Sequence, residues 1–203
     1  MTLNLGVLIS GRGTNLRAIL VAAAERRLDA RIALVLSNRP DAGGLEVATR
    51  HGAPTQVLPH QGYASRAAYD GALVEALRAR AVDTVALAGF DRLLSGVLLK
   101  AFPGRVVNIH PALLPAFPGL HAQRQALDYG VRLTGATVHF VDEEVDHGPI
   151  IAQAVVPVRD DDTEETLAER ILAEEHRIYP AALQLLASGR LRLEGRRVVG
   201  GLP

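Results

Sequence analysis

Asn108 and His110 stand two residues apart in the stretch RVVNIHPALLPAFPG, Arg105 to Gly119. The first offers a neutral amide donor and the second a ring that titrates near physiological pH. Arg105 to Ile109 reads as a short apolar strand, and alternation along a strand sends positions 108 and 110 to the same side. Strand tips of open α/β sheets are where ligands usually bind. The loop that follows is stiffened by Pro111, Pro115 and Pro118. Taken alone, an Asn-x-His before a proline loop more often marks a purely structural turn.

Partners for this pair come from three further stretches. EEVDHGPII places Asp146 and His147 before Gly148-Pro149. Read as an acidic surface turn it does nothing; read functionally, Asp146 reaches His110 and raises its pKa, favouring the imidazolium. SGRGTN, residues 10–15, follows an apolar run and opens a helical pattern. Its glycines allow close backbone approach, and helix N-terminal N–H groups attract an anion, typically phosphate. A dinucleotide fingerprint is disfavoured because Leu16 replaces the third glycine and Ser37-Asn38-Arg39 lacks a ribose-binding acid. The Walker lysine is absent too, leaving a phosphate monoester site or a plain βα turn. AGFDRLL, residues 88–94, is expected at another strand end, where exposed backbone groups suit a flat heterocycle. His110, His121, His139 and His147 lie in one half of the chain, but no close histidine pair or H-E-x-x-H appears, so no metal is expected. Glu174-Glu175-His176 and Arg66 read first as solvated helix residues.

The elements that must carry these groups alternate. Strands are expected over Leu3–Ile9, Ile32–Leu36, Pro54–Leu58, Val82–Ala88 and Arg105–Ile109. Helical periodicity lies between them: Thr14–Arg26 with Leu16, Ile19, Leu20 and Ala23 inward, Gly44–His51, Ser65–Arg80, and Ser95–Ala101. That rhythm predicts a doubly wound parallel sheet with right-handed crossovers. A helix over Ala122–Tyr129 then precedes strands at Thr134–Val141 and Ile150–Val158, whose connection is too short for a helical crossover, so they should be antiparallel. Asp162 or Thr163 should cap a long helix, Glu164 to Ala187, kinked or broken near Tyr179 by Pro180. A terminal hairpin is expected around Glu194-Gly195.

With 203 residues the chain suits one domain, residues 1–203. Lys+Arg and Asp+Glu both number 22, a balance that points to neither nucleic acid nor an acidic membrane as partner. There is no cysteine, hence no disulfide, thiolate metal site or Cys nucleophile. The N-terminal apolar run has no basic segment before it and reads as a buried strand rather than a signal peptide. No apolar run approaches the ~20 residues of a membrane span. A cytoplasmic protein is expected.

Together the motifs LISGRGTNL, SNRPDAGGLEVA, SRAAYD, AGFDRLL, NIHPALLPAFPG, GATVHFVDEEVDHGPII and EEHRIYP resemble the phosphoribosylglycinamide formyltransferases of folate-dependent purine biosynthesis, over almost the whole chain. The resemblance implies a Rossmann-like α/β domain, mostly parallel with an antiparallel C-terminal portion. Residues 1–107 would form the phosphate and ribonucleotide half, and 108–203 the catalytic and folate half. It implies that Gly13, Thr14 and Asn15 hold the ribonucleotide phosphate and Glu175 the ribose or glycinamide part. Arg66, Asp91, Arg92, Leu93, Leu94 and Asn108 would line the site of 10-formyltetrahydrofolate, the formyl donor, with the pterin reading main-chain groups. Asn108, His110 and Asp146 match the catalytic trio, with no metal and either a monomer or a homodimer. Arg12, Ala112, Ala116 and His147 depart from the familiar residues, and Leu172, where some members carry Gln, leaves one phosphate contact open. Two rivals, a formyltetrahydrofolate hydrolase and a methionyl-tRNA formyltransferase, would be expected to carry additional domains. A non-catalytic nucleotide-binding module would use the glycine loop alone.

Overall fold

Strand β1 (Leu3–Ile9) is buried on both faces, as its unbroken apolar run requires: Leu5, Val7 and Ile9 join one hydrophobic cluster and Leu8 the other. The computed structural model describes residues 2–200. Around β1 lie β2 (Ala30–Ser37), β3 (Thr55–Val57), β4 (Thr84–Leu87), β5 (Val106–His110), β6 (Leu133–Phe140) and β7 (Ile150–Pro157), in the sheet order β3-β2-β1-β4-β5-β6-β7. Pairings among β1 to β5 are parallel, whereas β5–β6 and β6–β7 are antiparallel. The strand order reverses between β1 and β4, which opens the crevice where doubly wound sheets take ligands.

Helices α1 (Thr14–Ala24) and α6 (Glu164–Ala187) cover the first face, through Leu16, Ile19, Leu167, Ile171 and Ile178. Helices α3 (Arg66–Arg78) and α4 (Gly96–Ala101) cover the second with Tyr69, Leu73, Leu77 and Leu98. Two short helices, α2 (Gly43–Arg50) and α5 (Ala122–Tyr129), and a hairpin, β8 (Arg192–Glu194) with β9 (Arg197–Val199), complete the chain. In β5, Val107 and Ile109 belong to the α1/α6 face and Val106 to the other. Alternation therefore puts Asn108 and His110 on the α3/α4 side.

Four expectations are corrected. Helix α1 stops at Ala24 rather than Arg26, which adopts a left-handed φ of 57°, and Ala22, not Ala23, is buried. β4 is shorter than Val82–Ala88. The break near Tyr179 does not occur: α6 is one helix through Pro180. A mid-helix proline costs about 3 kcal/mol, but Ile178, Tyr179, Ala182 and Leu183 around it are all fully or almost fully buried, and each contributes favourably, an Ile or Leu by roughly 1.5–3 kcal/mol. The Tyr179 hydroxyl also lies 3.0 Å from the carbonyls of both Leu87 and Val107, where its proton serves one acceptor at a time. Thr163, one of the two candidates, caps α6, and its capping box is closed by Thr166.

Candidate active site

The β1–α1 turn is built on Gly13, which takes a left-handed φ of 76°. A Cβ there would meet the Gly44 Cα at 2.4 Å, so the turn and the start of α2 require glycine on both counts. Gly44 N–H donates to the Gly11 carbonyl at 3.0 Å, locking the two loops together. No side chain caps α1, leaving its first N–H groups for an anion. Arg12 is exposed beside them and Thr14 is half-buried. Asn15 is turned inward: its Nδ2 donates to Glu175 Oε2 at 2.7 Å, and its buried Oδ1 has no protein partner. Burial pushes the Glu175 carboxyl above its ordinary range against the opposing pull of that hydrogen bond. Glu174, by contrast, pairs with Arg177 on the helix surface.

Beside this turn, a cleft of about 630 Å³ opens over the ends of β4 and β5. Its walls take Arg66 and the 89–94 loop from one side and Asn108, His110 and the 142–146 loop from the other. Arg66 is the first residue of α3, placed there by the Ser65 cap, whose Oγ accepts from Ala68 N–H. Leu93 is exposed for a large apolar residue, at 52%. Asp91 also lies in the wall, with its carboxylate held by Ser10, Asn38 and Arg39.

His110 and Asp146 are in contact, Nδ1 to Oδ2 at 3.2 Å. His110 Nε2 faces the Phe117 carbonyl at 2.8 Å, so both ring nitrogens face acceptors and only the doubly protonated ring satisfies both. The same Asp146 oxygen accepts from Gly119 N–H at 2.8 Å. Asn108 Nδ2 lies 3.4 Å from Asp146 Oδ1 and 3.2 Å from His139 Nε2. His139 Nδ1 in turn is 2.8 Å from the Phe140 carbonyl, and its Nε2 also lies 3.7 Å from Asp146 Oδ1. Burial pushes the His110 pKa down, while the Asp146 charge and the Phe117 carbonyl push it up, and burial prevails. The expected upward shift is thus corrected: the Asp146 contribution has the expected sign, but desolvation of an almost fully enclosed ring is larger. Asp146 itself is held below the usual carboxylate range; burial opposes this, and the His139 and Gly119 hydrogen bonds and the two imidazoles outweigh it.

The backbone explains this placement. Asp146 adopts a left-handed φ of 50°, and two residues later a Cβ on Gly148 would stand 1.8 Å from the Phe140 oxygen. Only glycine lets that loop fold back so closely. The proline loop is pinned from β6 by Thr137, opposite His110 in the register. Thr137 Oγ1 donates to the Ala112 carbonyl at 2.6 Å and accepts from Leu114 N–H at 3.1 Å. Ala112 is fully buried there, whereas Ala116 is exposed.

His147 points elsewhere, pairing with Asp142 and meeting Arg196 of the terminal hairpin. In the sequence His139 stands out only as one of four scattered histidines, and Ser10, Asn38 and Arg39 carry no signal of a shared network. The register Asn108↔His139 was the signal for the first; nothing local announces the others. Among the described residues, no group of three His, Cys, Asp or Glu side chains is placed to hold a metal ion.

Residues 3–183 match the family model described as formyl transferase. The chain is 44% identical to the phosphoribosylglycinamide formyltransferase of Escherichia coli (strain K12), covering 94% of this chain and 90% of that one. It is 50% identical to the trifunctional purine biosynthetic protein adenosine-3 of Bos taurus, covering 92% of this chain but only 18% of that much longer protein. A crystal structure of glycinamide ribonucleotide transformylase 1 from Symbiobacterium toebii superimposes with a TM-score of 0.96 at 58% identity, covering 97% of this chain and 93% of that one.

Proposed function

The chain belongs to the formyl transferase family, and from that premise we propose that it transfers the formyl group of 10-formyltetrahydrofolate to the amine of 5'-phosphoribosylglycinamide. The products are formylglycinamide ribonucleotide and tetrahydrofolate, in purine biosynthesis. The observation that carries this reading is the convergence of Asn108, His110 and Asp146 on one cleft beside an uncapped helix N-terminus.

In this reading Gly13, Thr14 and Asn15 receive the phosphate at the start of α1, and Glu175 faces the ribose or glycinamide portion. The folate lies in the cleft against Arg66, Arg92, Leu93, Leu94 and Asn108, with Asp91 in the wall behind. No resident metal takes part, and the small-molecule substrates are the partners, in the cytoplasm. The neutral amine attacks the formyl carbon, and the carbonyl electrons move onto oxygen. Asn108 Nδ2 and His110 Nε2 donate to that oxygen, the histidine exchanging the Phe117 carbonyl for it. Each such donor supplies a factor of about 10²–10³ in rate. The intermediate then collapses, the carbon–N10 bond breaks, and the proton from the amine reaches N10 through water ordered by Asp146. Holding both substrates at the C-terminal ends of the parallel strands supplies much of the remaining acceleration.

The test mixes purified protein with both substrates and follows formylated nucleotide and free formate separately. Formylated nucleotide with tetrahydrofolate is expected. Formate alone would make the protein a hydrolase, and neither product would leave only a nucleotide-binding module.

A further inference from the structure

Asp91 stands in the cleft wall, yet its polar atoms are engaged by protein. Oδ1 lies 2.8 Å from Asn38 Nδ2 and 2.9 Å from Ser10 Oγ, and Oδ2 is paired with the Arg39 guanidinium. The Asp91 N–H donates to Ser10 Oγ at 2.9 Å. The single Ser10 hydroxyl proton is shared between Asp91 Oδ1 and Asn38 Oδ1, the latter at 2.7 Å. Ser10 N–H donates to the Gly89 carbonyl at 3.0 Å. Ser10 and Asn38 are buried, at 8% and 2% exposure. Ser10 directly precedes the Gly11–Asn15 turn, and Asp91 opens the stretch that carries Arg92, Leu93 and Leu94. The network therefore spans the reversal in strand order, joining the ends of β2, β1 and β4.

We propose that Asp91 is a positioning residue that couples the two substrate sites, tying the folate-side loop 89–94 to the phosphate-side turn 11–15 through Ser10 and Asn38. The proposal rests on the ligands assigned above. A ligand that orders one loop lowers the entropy its partner must remove from the other, which is positive cooperativity without a large movement. The three donors on the carboxylate also keep it ionised and facing protein despite its partial burial.

The test measures the affinity of glycinamide ribonucleotide and of tetrahydrofolate, each alone and in the presence of the other, in the unmodified protein and in Asp91→Ala, Asn38→Ala and Arg39→Ala. Without a formyl group no turnover occurs. In the unmodified protein each ligand should tighten the other by about fivefold or more. In Asp91→Ala and Asn38→Ala that ratio should fall towards one. In turnover with 10-formyltetrahydrofolate, the folate KM should rise about tenfold with a much smaller change in kcat. Arg39→Ala, at the exposed edge, should show the same pattern more weakly and serves if Asn38→Ala fails to fold. No coupling in the unmodified protein would overturn the proposal. So would loss of folate binding confined to Asp91→Ala, since that marks a direct ligand contact. Amide exchange separates this from failure of the ligand assignment: without any ligand, Asp91→Ala should speed exchange across residues 11–15, and unchanged exchange there overturns the tie whatever the substrates are.

Discussion

Asp146 Oδ2 lies 3.2 Å from His110 Nδ1 and accepts the Gly119 N–H as well, so one carboxylate oxygen fixes both the imidazole and the end of the proline loop. Asp146 is the main opponent of the burial that pushes the ring towards neutrality. The ring is thus poised by two opposed effects, with charge available when an oxyanion replaces the Phe117 carbonyl as its second partner.

Asp146→Asn keeps the shape and removes the charge. Burial is then less opposed, and the His110 pKa should fall further below its ordinary value. If the protonated ring stabilises the oxyanion, rate declines as pH rises through that pKa, and in the variant the decline should begin at lower pH. Turnover at neutral pH should drop by about 10²-fold. NMR titration of the His110 ring checks the pairing directly; an unmoved titration would rule it out.

His110→Ala should lower kcat by about 10²–10³-fold, the usual loss for one oxyanion donor. Ribonucleotide affinity should stay nearly intact, because the phosphate turn is held by Gly13, Gly44 and Asn15 rather than by β5. Calorimetric binding of the ribonucleotide beside single-turnover rates separates the two. Loss of binding with turnover preserved would contradict the assignment.

Much of this is legible in the sequence. Buried parallel strands announce themselves as apolar runs, and the helices between them as three- and four-residue spacing, so the βα rhythm and the antiparallel turn at 134–158 followed. Asn108 and His110 followed from strand alternation. The Ser10–Asn38–Asp91 network did not, because only the sheet order β2-β1-β4 brings the three ends together. His139 needed the β5–β6 register, and the direction of the His110 shift needed its burial. Pro180 misled because local propensity was outweighed by packing.

Gly13→Ala should destabilise the fold by about 1–3 kcal/mol, since a non-glycine residue at φ 76° is strained and its methyl meets the Gly44 backbone. Relief requires α2 to move away from the phosphate turn. Chemical denaturation should show the lower midpoint, and ribonucleotide binding at a temperature where the variant is folded should be weaker. Unchanged stability and binding would mean that the turn is not built as described.

Glu175→Gln tests the buried pair with Asn15. Burial raises the Glu175 carboxyl in the folded state, so its contribution to stability is full below the unfolded carboxyl value of about 4.3. That contribution is lost as pH rises through the higher folded value. The glutamine amide oxygen still accepts from Asn15 and never ionises, so the stability of the variant should fall less between pH 4.3 and neutrality. Its ribonucleotide KM should rise roughly tenfold, the scale of one lost charge-assisted hydrogen bond. Denaturation midpoints across that pH range, set beside ribonucleotide kinetics, check both. A variant that follows the unmodified protein at every pH would show that burial does not raise the Glu175 carboxyl, and an unchanged KM would remove it from the ribonucleotide site.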